Sequence, residues 1–327
     1  MNNIKVIFKR PYSLGLISLS LILLATLPSF VQPYAVISLI TVLMYVILTL
    51  SWAIFSGPTH YISLASAAFF GVGVYATAVA SQNLPLPAIV LIGGLASFIL
   101  AFFIGLLTLR LKGIYFILFT FGVSALIRHS LLWWETHITL TVGRWVVGPP
   151  IETVYYAVLV ILGLTLLTAF FIRQSRFGLA LNSIGENEEA AAHIGINVTM
   201  LKVITFAVSA VFMGATGAVM ATRWTYIDPL IAFNPLISFL PVLMAIFGGT
   251  SRLIGPILGA AIFTLLREYL ITEYPYFYMV LFGATLIIVI LFLPDGLMGL
   301  VDRGWRYLKR ANEGRRMGHG RQEVNNA

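Results

Sequence analysis

Long apolar runs, each close to the roughly 20 residues needed to cross a bilayer as a helix, alternate along this chain with short polar or Gly/Pro-containing breaks. The runs fall near 14–31, 35–55, 61–81, 87–109, 114–133, 153–172, 201–221, 235–248, 254–271 and 276–294, and they predict about ten helices. None shows the alternation of a barrel strand. A lipid environment also forces helices, because it cannot satisfy exposed backbone N–H and C=O groups.

Composition removes the soluble alternative. Of the 327 residues, 59% are hydrophobic and 10% charged, and the mean hydropathy is +0.96. Soluble domains carry roughly 25% charged residues. Residues 11–109 contain no Asp, Glu, Lys or Arg, and His60 is their only strongly polar titratable group. The expected fold class is therefore all-α and polytopic, a single membrane domain over 1–327 with broken or re-entrant segments. Lys5, Lys9 and Arg10 ahead of the run 14–27 look like a signal peptide. No small-x-small cleavage site follows, so a retained first span is expected.

Charge then orients the spans. With the N-terminus in the cytoplasm, the cytoplasmic loops are 1–13, 56–60, 110–113, 173–200, 249–253 and the tail from Asp295. With Lys202 at the start of a span, they hold sixteen basic residues; Arg128, Arg144, Arg223 and Arg267 are the four on the opposite side. The positive-inside rule favours this arrangement, with both termini cytoplasmic. The net charge of +8 sits beside apolar spans, as orientation requires, and does not point to nucleic acid. The absence of cysteine excludes disulfides and thiolate metal sites.

Two breaks interrupt the pattern, at Gly57-Pro58 and at Gly248-Gly249-Thr250-Ser251 with Gly255-Pro256. Transporters place such interruptions around a path. A short echo, Ala53-Ile54-Phe55-Ser56-Gly57 against Ala245-Ile246-Phe247-Gly248-Gly249, is too brief to establish a repeat. Thr59, His60, Ser63 and Ser66 cluster at the first break. They are candidates for a translocation path, although serines in spans commonly bond a neighbouring carbonyl. Gly255 and Gly259 have helix-packing spacing and read as structural.

Two polar segments are long enough to act. The loop 134–152, on the side away from the cytoplasm, is rich in aromatic, Thr and Gly residues and nearly neutral. The cytoplasmic segment 173–200 carries more information. Ser183 with Glu186 has capping-box spacing, and Asn187 is the alternative N-cap. Glu188 and Glu189 then fall in a first helical turn, where acids favour the dipole. Ala190, Ala191 and Ala192 propagate a helix, and Gly195 suits a left-handed cap. A short acid-tipped helix with a smooth alanine face is expected outside the membrane, with glutamates at its rim to pair with a partner's basic residues. It is either a solvated surface helix or a docking element. The chain lacks a P-loop, so ATP, if used, is bound elsewhere.

Here the motifs resemble a family. Glu189-Ala190-Ala191 followed by Gly195 is similar to the E-A-A-x-x-x-G coupling loop of ABC importer permeases. Leu109-Arg110-Leu111-Lys112-Gly113-Ile114-Tyr115-Phe116 resembles the "LRLRGxYF" turn of the LivM-type permeases for branched-chain amino acids. The segment from Ser63 to Gly73 resembles their "SLGHAAFFGIG", and Gly248-Gly249 with Gly255-Pro256 and Gly259 their "GG…GPxxGA". Pro294-Asp295-Gly296-Leu297-Met298-Gly299 matches "PxGLxG". Two departures concern the solute: Ala65-Ser66 stands where Gly-His is frequent, and Thr141-Val142-Gly143-Arg144 where "TGG" is frequent.

The resemblance implies a multi-pass permease of a prokaryotic cytoplasmic membrane. It would pair with a second permease, two cytoplasmic ATPase subunits and an external solute-binding protein, and hold no cofactor or metal of its own. Glu186, Glu188, Glu189, Ala190, Ala191 and Gly195 would form the ATPase-coupling helix. Branched-chain amino acids are the implied substrates, with amides and urea within the same family.

Other charges fit interface positions: Arg128 and His129 with Glu135, and Arg267 with Glu268. No carboxylate falls near the middle of a span and no hydrolase or protease motif occurs. This argues against intramembrane enzyme chemistry and weakens, without removing, the alternative of an ion-coupled secondary carrier. A non-transporting scaffold is the third class.

Overall fold

The computed structural model describes residues 12–277 continuously and, beyond them, 280, 281, 283, 284, 287 and 296–299. Most of the expected span 276–294 and the basic tail 301–327 lie outside these residues. The described part is a bundle of helices: α1 (Tyr12–Thr26), α2 (Pro33–Thr59), α3 (Ser66–Ala80), α4 (Leu86–Thr108), α5 (Ile114–Trp134) and α6 (Ile151–Gln174). There follow α7 (Arg176–Glu186), α8 (Glu188–His193), α9 (Val198–Ala221), α10 (Pro229–Ala232), α11 (Leu236–Gly248) and α12 (Ile254–Glu273).

Among the described residues, seven helical stretches are long and apolar enough to cross a membrane: α2, α4, α5 with its π-helical extension Glu135–Thr139, α6, α9, α10–α11 and α12. The stretch Ser18–Ser29 and α3 are apolar but shorter. The chain is a polytopic all-α membrane protein, and the expected apolar runs that fall within the described residues coincide with helices, most of them to within a few residues.

α2 is the central helix. At 27 residues it is about 40 Å long, and every side chain from Val42 to Ser56 is buried, with α6, α9, α11 and α12 packed against the helix. The expected break at Gly57-Pro58 is displaced, because α2 runs through both residues to Thr59. Pro58 removes one helical N–H, but only in the last turn. There Thr59 Oγ1 donates to the Phe55 carbonyl (2.7 Å) and the His60 N–H donates to Ser56 (3.1 Å), so the end stays satisfied. His60 itself takes a left-handed conformation (φ 60°) and stops the helix.

The third span starts at Ser66, five residues later than its hydrophobicity predicts. Non-helical backbone within a bundle must find partners in the protein, and here side chains supply them. Trp52 Nε1 donates to the Ser63 carbonyl (2.9 Å), the Leu64 N–H to Thr120 Oγ1 (3.1 Å) and the Ala67 N–H to Ser238 Oγ (3.1 Å).

α3 and α4 pack on α9 through small residues. A Cβ on Gly73 would lie 1.9 Å from the Gly214 carbonyl oxygen, and one on Gly214 would lie 2.1 Å from Ser97 Oγ. Close backbone approach of this kind is how helices associate where lipid offers no hydrophobic drive. Gly255 and Gly259 do the same for α11 against α12, with virtual Cβ atoms 1.9 Å from Gly249 O and 2.1 Å from Met244 O.

The loops 56–60, 110–113, 173–200 and 249–253 gather at one end of the bundle, referred to below as the α7–α8 end. At the opposite end a two-residue antiparallel ribbon joins β1 (Arg144–Trp145) to β2 (Tyr226–Ile227).

Candidate functional site

The α7–α8 segment begins with a cap. Ser175 Oγ accepts the Gly178 N–H (3.3 Å) and starts α7, which turns Gly178, Leu181 and Ile184 inward and leaves Phe177 and Leu179 exposed. Asn187, with extended backbone, separates α7 from α8. Its Oδ1 accepts the N–H groups of Glu189 and Ala190, both at 3.0 Å. The capping box at Ser183 does not form, because Ser183 lies inside α7 and donates to Leu179 O (3.1 Å). α8 closes with a Schellman motif: Gly195 N–H to Ala192 O (3.0 Å) and Ile196 N–H to Ala191 O (3.2 Å), with Gly195 at φ 89°.

The candidate coupling residues divide by direction. Glu186, Glu189, Ala190 and Gly195 are exposed, whereas Ala191 is buried. Glu188 turns inward instead of joining an outer rim. It forms an ion pair with Lys202 (2.7 Å), whose side chain is 1% exposed.

Burying an ammonium is costly unless its donors meet acceptors and a counter-charge. Lys202 Nζ meets Glu188 Oε1, Tyr61 OH (3.2 Å) and the Leu109 carbonyl at the end of α4 (3.2 Å). The last is the negative end of a helix dipole. Nζ also lies 4.4 Å from the centre of the Tyr61 ring, and Tyr61 OH donates to Glu188 Oε2 (2.7 Å). Burial opposes the charge on Glu188, yet the hydrogen bonds from Lys202 and Tyr61 and the positive charges of Lys202 and Lys112 prevail. They hold its carboxyl below the ordinary carboxylate range.

The candidate path residues serve different ends. Thr59 is buried and bonded to Phe55 O. His60 is exposed, its Nδ1 3.1 Å from the Gly185 carbonyl oxygen, which ties the end of α2 to α7. Ser63 Oγ accepts the Ala65 N–H (3.2 Å). Ser66 differs: its hydroxyl is buried without a partner, as is that of Ser56. Both line a small internal cavity with Ser63, Ser209 and the rings of Trp52, Phe55, Phe69 and Phe206. At about 10 Å³ it has room for roughly one water molecule, the usual partner of such orphaned groups.

A larger cleft of about 400 Å³ opens at the α7–α8 end, where the two sequence breaks meet. Gly57, Pro58, His60, Arg173, Asn182, Thr250 and Ser251 are among its lining residues. Arg173 bridges to the second break, donating to the carbonyls of Thr250 (2.8 Å) and Ser251 (3.3 Å).

The charged groups elsewhere are structural or peripheral. Glu135 is 3% exposed and accepts from Tyr75 OH (3.2 Å) and the Gly143 N–H (2.9 Å). Arg128 touches His129. Glu268 accepts a short hydrogen bond from Ser38. The residues that sequence reasoning missed are Tyr61, Ser56 and Ser209, together with the pairing of Lys202. A lysine near the start of an otherwise apolar span is the available signal, but the positive-inside rule accounts for it equally well.

Among the described residues the arrangement offers polar ties, a cavity and an exposed helix. The chain resembles permease subunits. It is 25% identical over 291 residues to the high-affinity branched-chain amino acid transport system permease protein LivM of Salmonella typhimurium, covering 78% of this chain and 68% of that protein. Its match to LivM of Escherichia coli is 24% over 314 residues, 85% and 73% of the two chains. A shorter match, 26% over 184 residues and about half of each chain, is to the autoinducer 2 import system permease protein LsrC of Salmonella typhimurium. No solved structure matches the chain. The model describing the permease component of branched-chain amino acid transport systems matches residues 34–290, and the chain belongs to that family.

Proposed function

We propose that this chain is the membrane-spanning permease half of an ATP-driven importer for branched-chain amino acids in a prokaryotic cytoplasmic membrane. It forms one permease domain over 1–327 with ten spans. Both termini, the coupling segment 173–200 and the basic tail 301–327 face the cytoplasm. A second permease, two cytoplasmic ATPase subunits and an external solute-binding protein complete the importer, and the ATPases bind the ATP.

The observation that carries this reading is α8: a six-residue helix on the bundle's surface, its Glu189 and Ala190 exposed and its base tied into the bundle. Family membership and the LivM relatives support the substrate class. The LsrC relative, named for autoinducer 2 import, keeps that solute as the competing substrate. The pore would pass beside the buried serines, Ser63 and Ser66 among them, near Thr59 and His60.

Gly195→Val forces a β-branched residue into φ 89°, a conformation costing such a residue on the order of 1–3 kcal/mol. Ala190→Trp puts bulk on the exposed face of α8. Both should insert normally and abolish ATP-dependent leucine uptake in the assembled importer. Normal uptake in both would remove the coupling role from α8. Uptake that follows an ion gradient and ignores ATP would establish the secondary carrier instead.

A further inference from the structure

A six-residue helix with only Ala191 buried has little side-chain surface through which to pull on the bundle. Lys202 provides the missing attachment. Its three acceptors sit on three elements: Glu188 on α8, Tyr61 in the 60–65 segment and Leu109 O at the end of α4. The Tyr61 ring meets Phe116 edge-on (5.4 Å between centroids), and Phe116 lies 6.3 Å from Phe55 and 6.2 Å from Phe206. Phe55 and Phe206 are walls of the serine cavity. A contiguous packed chain therefore runs from α8 to the orphaned hydroxyls of Ser56 and Ser66.

We propose that Lys202 is a positioning residue that carries displacement of α8 through Tyr61 to the serine cavity, so that movement at the surface helix re-packs the interior. The inference rests on the proposed coupling role of α8. Spatial continuity alone does not establish coupling, and the ratio of solute moved to ATP hydrolysed measures it. A merely structural residue would alter assembly, uptake and hydrolysis together and leave that ratio unchanged.

The test uses the complete importer in liposomes, with radiolabelled leucine as the probe and hydrolysis measured in parallel. Wild-type complex must first show ATP-driven uptake, and a cysteine at Glu189→Cys, in a chain without native cysteine, must cross-link to an ATPase subunit. Failure at this stage refutes the reading of α8 and is recognised before any Lys202 variant is tested.

Lys202→Met is expected to assemble and hydrolyse ATP while leucine moved per ATP falls at least tenfold. The double variant Lys202→Met with Glu188→Gln removes both charges and should show the same loss. An unchanged ratio in either assembled variant overturns the proposal. Should neither assemble, Tyr61→Phe decides, since it deletes only the shared hydroxyl. A threefold or greater fall in the ratio supports the proposal, and an unchanged ratio gives the cluster a purely structural role.

Discussion

In the sector formed by α3, α4 and α9, helices touch through their backbones, with Gly73 against the Gly214 carbonyl and Gly214 against the Gly93 carbonyl. The α7–α8 segment meets the same bundle at one close backbone point, Gly185 over the Pro58 carbonyl, and otherwise through side-chain atoms, among them Glu188 on Lys202 and His60 on Gly185 O. Backbone contact leaves no slack, because neither partner has a rotamer to change. Polar side-chain ties are few, separable and able to exchange partners. The first design suits a frame, and the second suits a part that is meant to move relative to it.

Gly214→Leu tests the frame and should have the largest effect. The new Cβ would overlap Ser97 Oγ and approach the Gly93 carbonyl to 2.5 Å, and overpacking of this order costs on the order of 3 kcal/mol. The expected result is loss of monodisperse protein after detergent extraction. Recovery at wild-type yield would show that the sector can spread and is no frame.

Acid tests the attachment. Glu188 has an ordinary value of 4.5, lowered in the folded chain by Lys202, Tyr61 and Lys112. A lowered carboxyl stabilises fully above its unfolded value and loses that contribution as pH falls through the folded one. The tie should therefore persist from neutral pH down to about 4.5 and loosen only below it. Protease sensitivity within 173–200 should rise in that acidic range, while the span cores stay protected. Loosening already at pH 6 would contradict the ion pair.

Asn187→Ala should have the smallest effect. It removes the two N–H acceptances that start α8, at a cost of about 1 kcal/mol. Faster hydrogen exchange confined to α8 is expected, without change in the thermal midpoint of the bundle. Spread of the effect into α9 would show that the segment and the frame are one cooperative unit.

The same contrast explains what could be read from sequence. The spans α4, α5, α6 and α12 follow apolar runs bounded by Pro, Gly or charge, and their ends lie within about two residues of expectation. Gly195 and Asn187 were legible because caps are local. The late start of α3 was not. Tyr61, Ile62 and Leu64 are as apolar as a helix, and it is Trp52 and Thr120 from other elements that bond the backbone of residues 63 and 64 outside one, while Ser238 meets the Ala67 N–H where α3 begins. Pro58 misled for the reverse reason, since its local penalty is met by Thr59 and His60. The pairing of Glu188 with Lys202 depends on α8 folding back over the start of α9, and no local pattern encodes it.

The ribbon between Arg144–Trp145 and Tyr226–Ile227 ties together the approach to α6 and the exit from α9. Val146 N–H to Thr225 O (3.0 Å) extends it, and Gly148 packs against the Thr222 carbonyl, where a Cβ would lie at 2.1 Å. The other ends of these two helices are joined by α7 and α8. The two helices are thus closed into a loop of chain joined at both ends, so a displacement applied at α7–α8 would meet resistance from the ribbon and from the frame that holds α9.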